Sequence, residues 1–143
     1  EIPGNTGSLG RTCLGLNLQL HLIKPYGFEL SQKAVRRAGL DYWEHVNLKQ
    51  YESWEDFQQT QNPSPENLFF FSKFGEKSVF EADFQKDCFL IFGRESTGLP
   101  QEIHRNFPER LFRLPMHSEH IRSYNLSNAA TAAAFEAYRQ IHL

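Results

Sequence analysis

CFLIFGRESTGLP, residues 88–100, runs from an apolar stretch through a loop bracketed by two glycines to a proline. Residues 88–92 are apolar at every position, the pattern of a strand buried on both faces. Gly93 and Gly98 permit tight turns. Pro100 suits the first turn of a helix carrying Ile103 and Phe107, because the N–H it lacks is one that a helix start leaves unpaired. Strand, loop and helix in this order make a unit of an α/β fold. As a chemical motif the loop is incomplete. It has the G-x-x-x-x-G spacing of a phosphate loop, but Leu99 and Pro100 replace the lysine and hydroxyl residue. Ser96 sits in G-x-x-S-x-G, one residue too long for a nucleophile elbow.

Outward from this unit the same alternation recurs. NLFFF at residues 67–71 is a second continuous apolar run, and residues 18–23 (LQLHLI), 42–46 and 111–114 read as further strands. Ser31 can cap a helix that stops at Gly39. Ser53 with Asp56 resembles a capping box ahead of Trp54 and Phe57. In the last helix Leu126, Ala130, Ala133, Ala134, Ala137, Tyr138 and Ile141 form one apolar stripe of small residues. Something packs close to that stripe, either the sheet or a second subunit. Residues 61–67 (QNPSPEN) read as a loop rather than a linker, and residues 74–86 as a loop with one short strand or turn. The pattern predicts a single α/β domain over residues 1–143, with a mainly parallel sheet and helices on both faces.

The composition agrees. The 143 residues are 40% apolar and include thirteen phenylalanines, enough for a sizeable core. No apolar run approaches the roughly 20 residues of a membrane helix, and no signal peptide is present, so the expectation is a cytoplasmic protein. The first residue is Glu1, which implies a trimmed or processed start. The net charge of −2 gives no bulk attraction to nucleic acid but allows a local basic patch. Cys13 and Cys88 lie in apolar contexts and read as buried thiols.

In an open α/β sheet, ligands bind beyond the carboxyl ends of the strands. Three polar stretches fall there: residues 72–75 (SKFG), 93–98 (GRESTG) and 115–125 (PMHSEHIRSYN). NTGSLGRTC enters a helix that Asn5 or Thr6 can cap, and Arg11 lies about a turn and a half inside, at the edge of a cleft. Lys33, Arg36 and Arg37 share one helix face, which either is solvated or contacts phosphates. His117 and His120 have no cysteine near them and a weak ligand spacing, so no metal is expected. Ser96 and Ser123 lack a partner fixed by motif and make poor nucleophile candidates.

Taken in order, NTGSLGRT, FGRESTGLP and LPM…IRSYNLSNA resemble the three motifs of the SPOUT superfamily of knotted RNA methyltransferases. The match is closest to the small tRNA 2′-O-methyltransferases that modify the wobble ribose. LHLIKPYGF (residues 20–28) and RRAGLDYWE (36–44) fit the same group, so the resemblance spans nearly the whole chain. It implies a deep C-terminal trefoil knot that binds S-adenosylmethionine and releases S-adenosylhomocysteine. It also implies a homodimer paired through helices near the knot, and the anticodon stem-loop of tRNA as substrate. The dimer would explain the alanine stripe better than a sheet contact alone. Residue by residue, Phe71, Gly93, Leu114, Met116 and Ser123 match cofactor positions. Asn5, Arg11, Glu95 and Asn125 match positions linked to catalysis or to holding the site together, and Lys33, Arg36 and Arg37 would meet RNA.

Two departures stand out. The family has a strand before the position of Glu1, and Tyr124 is bulkier than the usual residue between serine and asparagine. The alternatives to wobble methylation are a related enzyme acting on rRNA or another tRNA position, and an RNA- or nucleotide-binding module without methyl transfer.

Overall fold

The computed structural model describes residues 4–25 and 41–143. The expected helix from Ser31 to Gly39, with Lys33, Arg36 and Arg37, lies outside the described residues. The chain divides into two compact units, Glu1–Asn62 and Pro63–Leu143. The division falls within the loop at residues 61–67.

In the first unit, α1 (Gly4–Leu16) leads to β1 (Leu20–Ile23), and β2 (Leu48–Tyr51) leads to α2 (Trp54–Gln61). β1 and β2 pair in parallel, with Leu20 opposite Leu48 and Ile23 opposite Tyr51. Cys13, Leu20, Trp43 and Val46 form the unit's small core. α1 already includes Gly4, so Asn5 and Thr6 stand in its first turn rather than at its cap. Asn17, at φ 55°, closes the other end, where the Leu18 N–H donates to the Cys13 carbonyl at 2.7 Å. Residues 42–46, expected as a strand, instead hold a 3-10 turn at Trp43–His45. Trp43 and Val46 are buried together at a spacing of three, which a turn of that pitch allows and a strand does not. Ser53 caps α2, its side chain accepting from the Asp56 N–H. The Asp56 carboxylate reaches the Glu52 N–H at 3.0 Å rather than closing a reciprocal box on Ser53.

In the second unit, β3 (Leu68–Phe71), β4 (Lys77–Ser78), β5 (Phe89–Phe92) and β6 (Leu111–Arg113) form one sheet in the order β4-β6-β3-β5. Every pairing is parallel. β3 is central and all four of its residues are buried, as its unbroken apolar sequence requires. Each such phenylalanine contributes about 1.5–3 kcal/mol by leaving water. α3 (Gln101–Asn106) follows Pro100 and buries Ile103. The short β4 leads into a 3-10 turn, Val79–Glu81, in which Ser78 and Glu81 cap each other.

The last helix, α4 (Leu126–His142), lays its alanine stripe on the sheet. Ala133 and Ala137 share a core cluster with Phe69, Phe71, Val79 and Phe112. The sheet therefore accounts for Ala133 and Ala137. Tyr138 departs from the stripe and is exposed, as are Phe135 and Leu143. Cys13 is buried, Cys88 half-buried, and neither is in a disulfide. Burial pushes the Cys13 thiol up to about 11 and raises Cys88 as well, which leaves both poor nucleophiles.

Candidate active site

Because the strands of the second unit run parallel, their carboxyl ends share one edge. Phe71 stands opposite Phe92 and Phe112 in the registers that end there. Its ring stacks on Phe92 with centroids 4.8 Å apart and planes 9° from parallel. Three loops leave this edge: residues 72–75, 93–98 and 114–125. The sheet thus gathers the expected cofactor residues Phe71, Gly93 and Leu114 at the start of adjoining loops.

The glycine loop closes on itself. The Arg94 N–H donates to the Gly98 carbonyl at 3.2 Å, the Gly98 N–H returns to the Arg94 carbonyl at 2.7 Å, and Gly98 has φ +72°. A Cβ on Gly93 would run into the Gly98 carbonyl carbon and the Leu99 nitrogen. The turn itself therefore demands glycine at 93, independently of any ligand. Leu99 is buried and anchors the loop, while Glu95 and Ser96 are exposed.

In the third loop Leu114 is half-buried and packs against the core cluster. Met116 is half-buried, and Ser123 is exposed. The Tyr124 hydroxyl donates to the Pro115 carbonyl and staples the two ends of the loop together. The bulk that set Tyr124 apart in the sequence thus holds the segment carrying Met116 and Ser123. Asn125 caps α4. Its Oδ1 accepts from the Asn128 N–H at 3.1 Å and from the Ser127 hydroxyl at 2.7 Å. Adenine requires an apolar slot and a few fixed polar partners. Phe92 and Leu114, packed against one core cluster, offer apolar surface of that kind at this edge.

Asn5 and Arg11 belong to the first unit, both on α1. Asn5 is half-buried and Arg11 exposed. The Arg11 guanidinium lies 5.6 Å from the centroid of the Tyr42 ring, and the Tyr42 hydroxyl donates to the Gly7 carbonyl at 2.8 Å. Tyr42 thus braces α1 while its ring face attracts the cation. Its role was not read from the sequence, although the stretch RRAGLDYWE contains it. Gly10, one residue before Arg11, sits where a Cβ would strike the Trp43 ring, so α1 needs glycine there to lie against the 3-10 turn. His117 and His120 are exposed. Among the described residues, no group of three His, Cys, Asp or Glu could hold a metal ion.

The family model described as the SpoU rRNA methylase family matches residues 1–135. The chain belongs to this family. A protein of Geobacillus stearothermophilus, provisionally named a tRNA (cytidine(34)-2′-O)-methyltransferase, is 47% identical over 98% of this chain and 89% of its own. A solved structure described for the 2-OH methylation of C/U34 on tRNA is 44% identical, with TM-score 0.83 over 98% of this chain and 90% of that one. The SpoU methyltransferase AviRb from Streptomyces viridochromogenes, solved in complex with AdoMet, is 26% identical with TM-score 0.74. It is matched over 96% of this chain and 56% of that one. Within the SpoU family, the mixed α/β fold with parallel sheets and the methyltransferase reading of the three motifs both hold.

Proposed function

We propose that this chain transfers a methyl group from S-adenosylmethionine to the 2′-hydroxyl of nucleotide 34 in the anticodon loop of tRNA, acting in the cytoplasm as a homodimer with a knotted C-terminal part. The observation that carries the reading is the near full-length similarity to the protein described for C/U34 methylation, which takes in all three motifs.

The cofactor supplies an already activated methyl group. The protein's task is to align the ribose hydroxyl and stabilise the charge that develops on it, and positioning can supply much of the rate. Phe71, Gly93, Leu114, Met116 and Ser123 bind the cofactor in this reading. Arg11 acts as a fixed cation, because guanidinium groups keep their proton in proteins. It holds a phosphate of the substrate and stabilises the developing alkoxide. Glu95 and Asn125 orient the loops, Asn5 belongs to the catalytic set, and Lys33, Arg36 and Arg37 meet the RNA backbone.

Calorimetry with S-adenosylmethionine and with ATP tests the cofactor assignment. Binding of the first and not the second is expected, and ATP binding alone would reject it. The family description names rRNA, which favours a second reading with ribosomal RNA as substrate. Methyl transfer to rRNA fragments and not to tRNA transcripts would establish that alternative.

A further inference from the structure

The turn at residues 72–75 carries an aromatic ring that the core does not use. The Ser72 N–H donates to the Phe112 carbonyl at 3.0 Å, and the Gly75 N–H donates to the Ser72 carbonyl at 3.0 Å. The Phe74 N–H donates to Ser72 Oγ at 3.1 Å. Gly75 is buried against β6 so closely that a Cβ would lie 2.6 Å from the Phe112 carbonyl carbon. Arg113 Nη1 donates to the Gly75 carbonyl at 3.1 Å. The backbone is therefore clamped on both sides of Phe74, yet the Phe74 side chain is 70% exposed. The turn holds the ring in water although burying it would yield about 1.5–3 kcal/mol.

One cation lies over this ring, and an aromatic ring meets its edge. Lys73 Nζ lies 5.2 Å from its centroid. The His104 ring meets it edge-on at 6.2 Å. Arg113 is tied to the carbonyl of the next residue. The stretch SKFGEK carries two lysines against one glutamate. A held aromatic ring with a lysine over it and an arginine hydrogen-bonded to the same turn complements a flexible phosphate chain with unstacked bases, because every base has a π-face to offer and every nucleotide a charge. The turn also leaves the same sheet edge as the glycine loop and the Leu114 loop, beside the cofactor residues.

We propose that Phe74 is a stacking platform for an unpaired base of the RNA substrate, with Lys73 and Arg113 neutralising the flanking phosphates. The proposal rests on the reading of the chain as an RNA ribose methyltransferase. The platform sets the register of the loop at the cofactor edge and does not read base identity.

The test titrates the full chain into an anticodon stem-loop RNA carrying 2-aminopurine at one unpaired position at a time, since the fluorescence of this base falls when it stacks. One position should be quenched by the parent protein. Phe74→Ala should lose that quench and weaken binding about five- to a hundredfold. Phe74→Trp should keep both. Phe74→Leu, apolar but without a π-face, should behave as the alanine variant. Lys73→Ala should keep the quench while reducing the salt dependence of binding. Affinity for S-adenosylmethionine should stay unchanged in every variant. Parental quench and affinity in Phe74→Ala, or full rescue by leucine, would overturn the platform. So would a change in sedimentation of Phe74→Ala, since the ring would then cover a second copy of the chain, and so would a parent protein that fails to bind the RNA. A parent that binds and quenches but transfers no methyl group would reject the proposed function while leaving the platform standing.

Discussion

Arg11 and Gly93 show how differently two motif residues contribute. Arg11 is exposed and held over Tyr42, the condition of a cation presented for use. Arg11→Ala should lower methyl transfer about a hundredfold or more, the loss expected when a fixed donor to a developing oxyanion is removed. Affinity for S-adenosylmethionine should be nearly unchanged, and an equal loss of both would show that Arg11 holds the site together instead. Gly93 has no room for a side chain. Gly93→Ala should destabilise the fold by about 1–3 kcal/mol through overpacking, read as a lower denaturant midpoint. The sequence disclosed that Gly93 mattered. The tight turn read at this position is one in which the backbone of Gly98 and Leu99 leaves no space for a Cβ. Tyr42 escaped notice because its work is a single hydrogen bond and a ring face, neither of which leaves a spacing pattern.

Elements were legible where burial was extreme. The central strand LFFF is apolar at each position because both its faces are covered. β2 escaped detection because LKQY leaves Lys49 and Gln50 exposed and pairs only with β1 among the described strands. Propensity placed a strand at residues 42–46, and the packing of Trp43 and Val46 at a spacing of three overrode it. Within this first unit, His21 faces Lys49 across the strand pair, and its Nδ1 lies 2.8 Å from the Tyr51 hydroxyl. Burial, assisted by Lys49, pulls the imidazole from its ordinary 6.5 down to about 4. The unfolded chain then binds a proton more readily than the folded one, so stability falls as pH drops from 6.5 to 4. The thermal midpoint should follow that course, and His21→Asn should flatten it. For α4, Asn125→Ala should cost about 1 kcal/mol by removing the cap. Asn125→Asp should keep the cap, so an intact thermal midpoint with reduced methyl transfer would isolate its role at the site from its role in the helix.

Each compact unit carries part of the motif set: α1 of the first holds Arg11, and the sheet edge of Pro63–Leu143 carries the loops at residues 72–75, 93–98 and 114–125. Ala133 and Ala137 pack into the sheet's core cluster, while another part of α4 faces outward. Phe135 is 55% exposed on α4, with Tyr138 and Leu143 also exposed. Phe135→Asp with Tyr138→Asp should shift sedimentation from dimer to monomer, and an unchanged dimer would place the interface elsewhere. Changing Lys33, Arg36 and Arg37 together to alanine should weaken tRNA binding and flatten its salt dependence, as expected when phosphate contacts are lost. Unaltered affinity would return that face to solvent. Motif order was legible across the chain because it reflects ancestry, whereas the surfaces that meet RNA or a second subunit leave no period in a single sequence. The most direct measurement is mass spectrometry of nucleosides from tRNA transcripts incubated with the protein and S-adenosylmethionine. The account predicts one 2′-O-methylated cytidine or uridine, confined to position 34 and absent with Arg11→Ala. Methylation on a base, or at any other position, would contradict it.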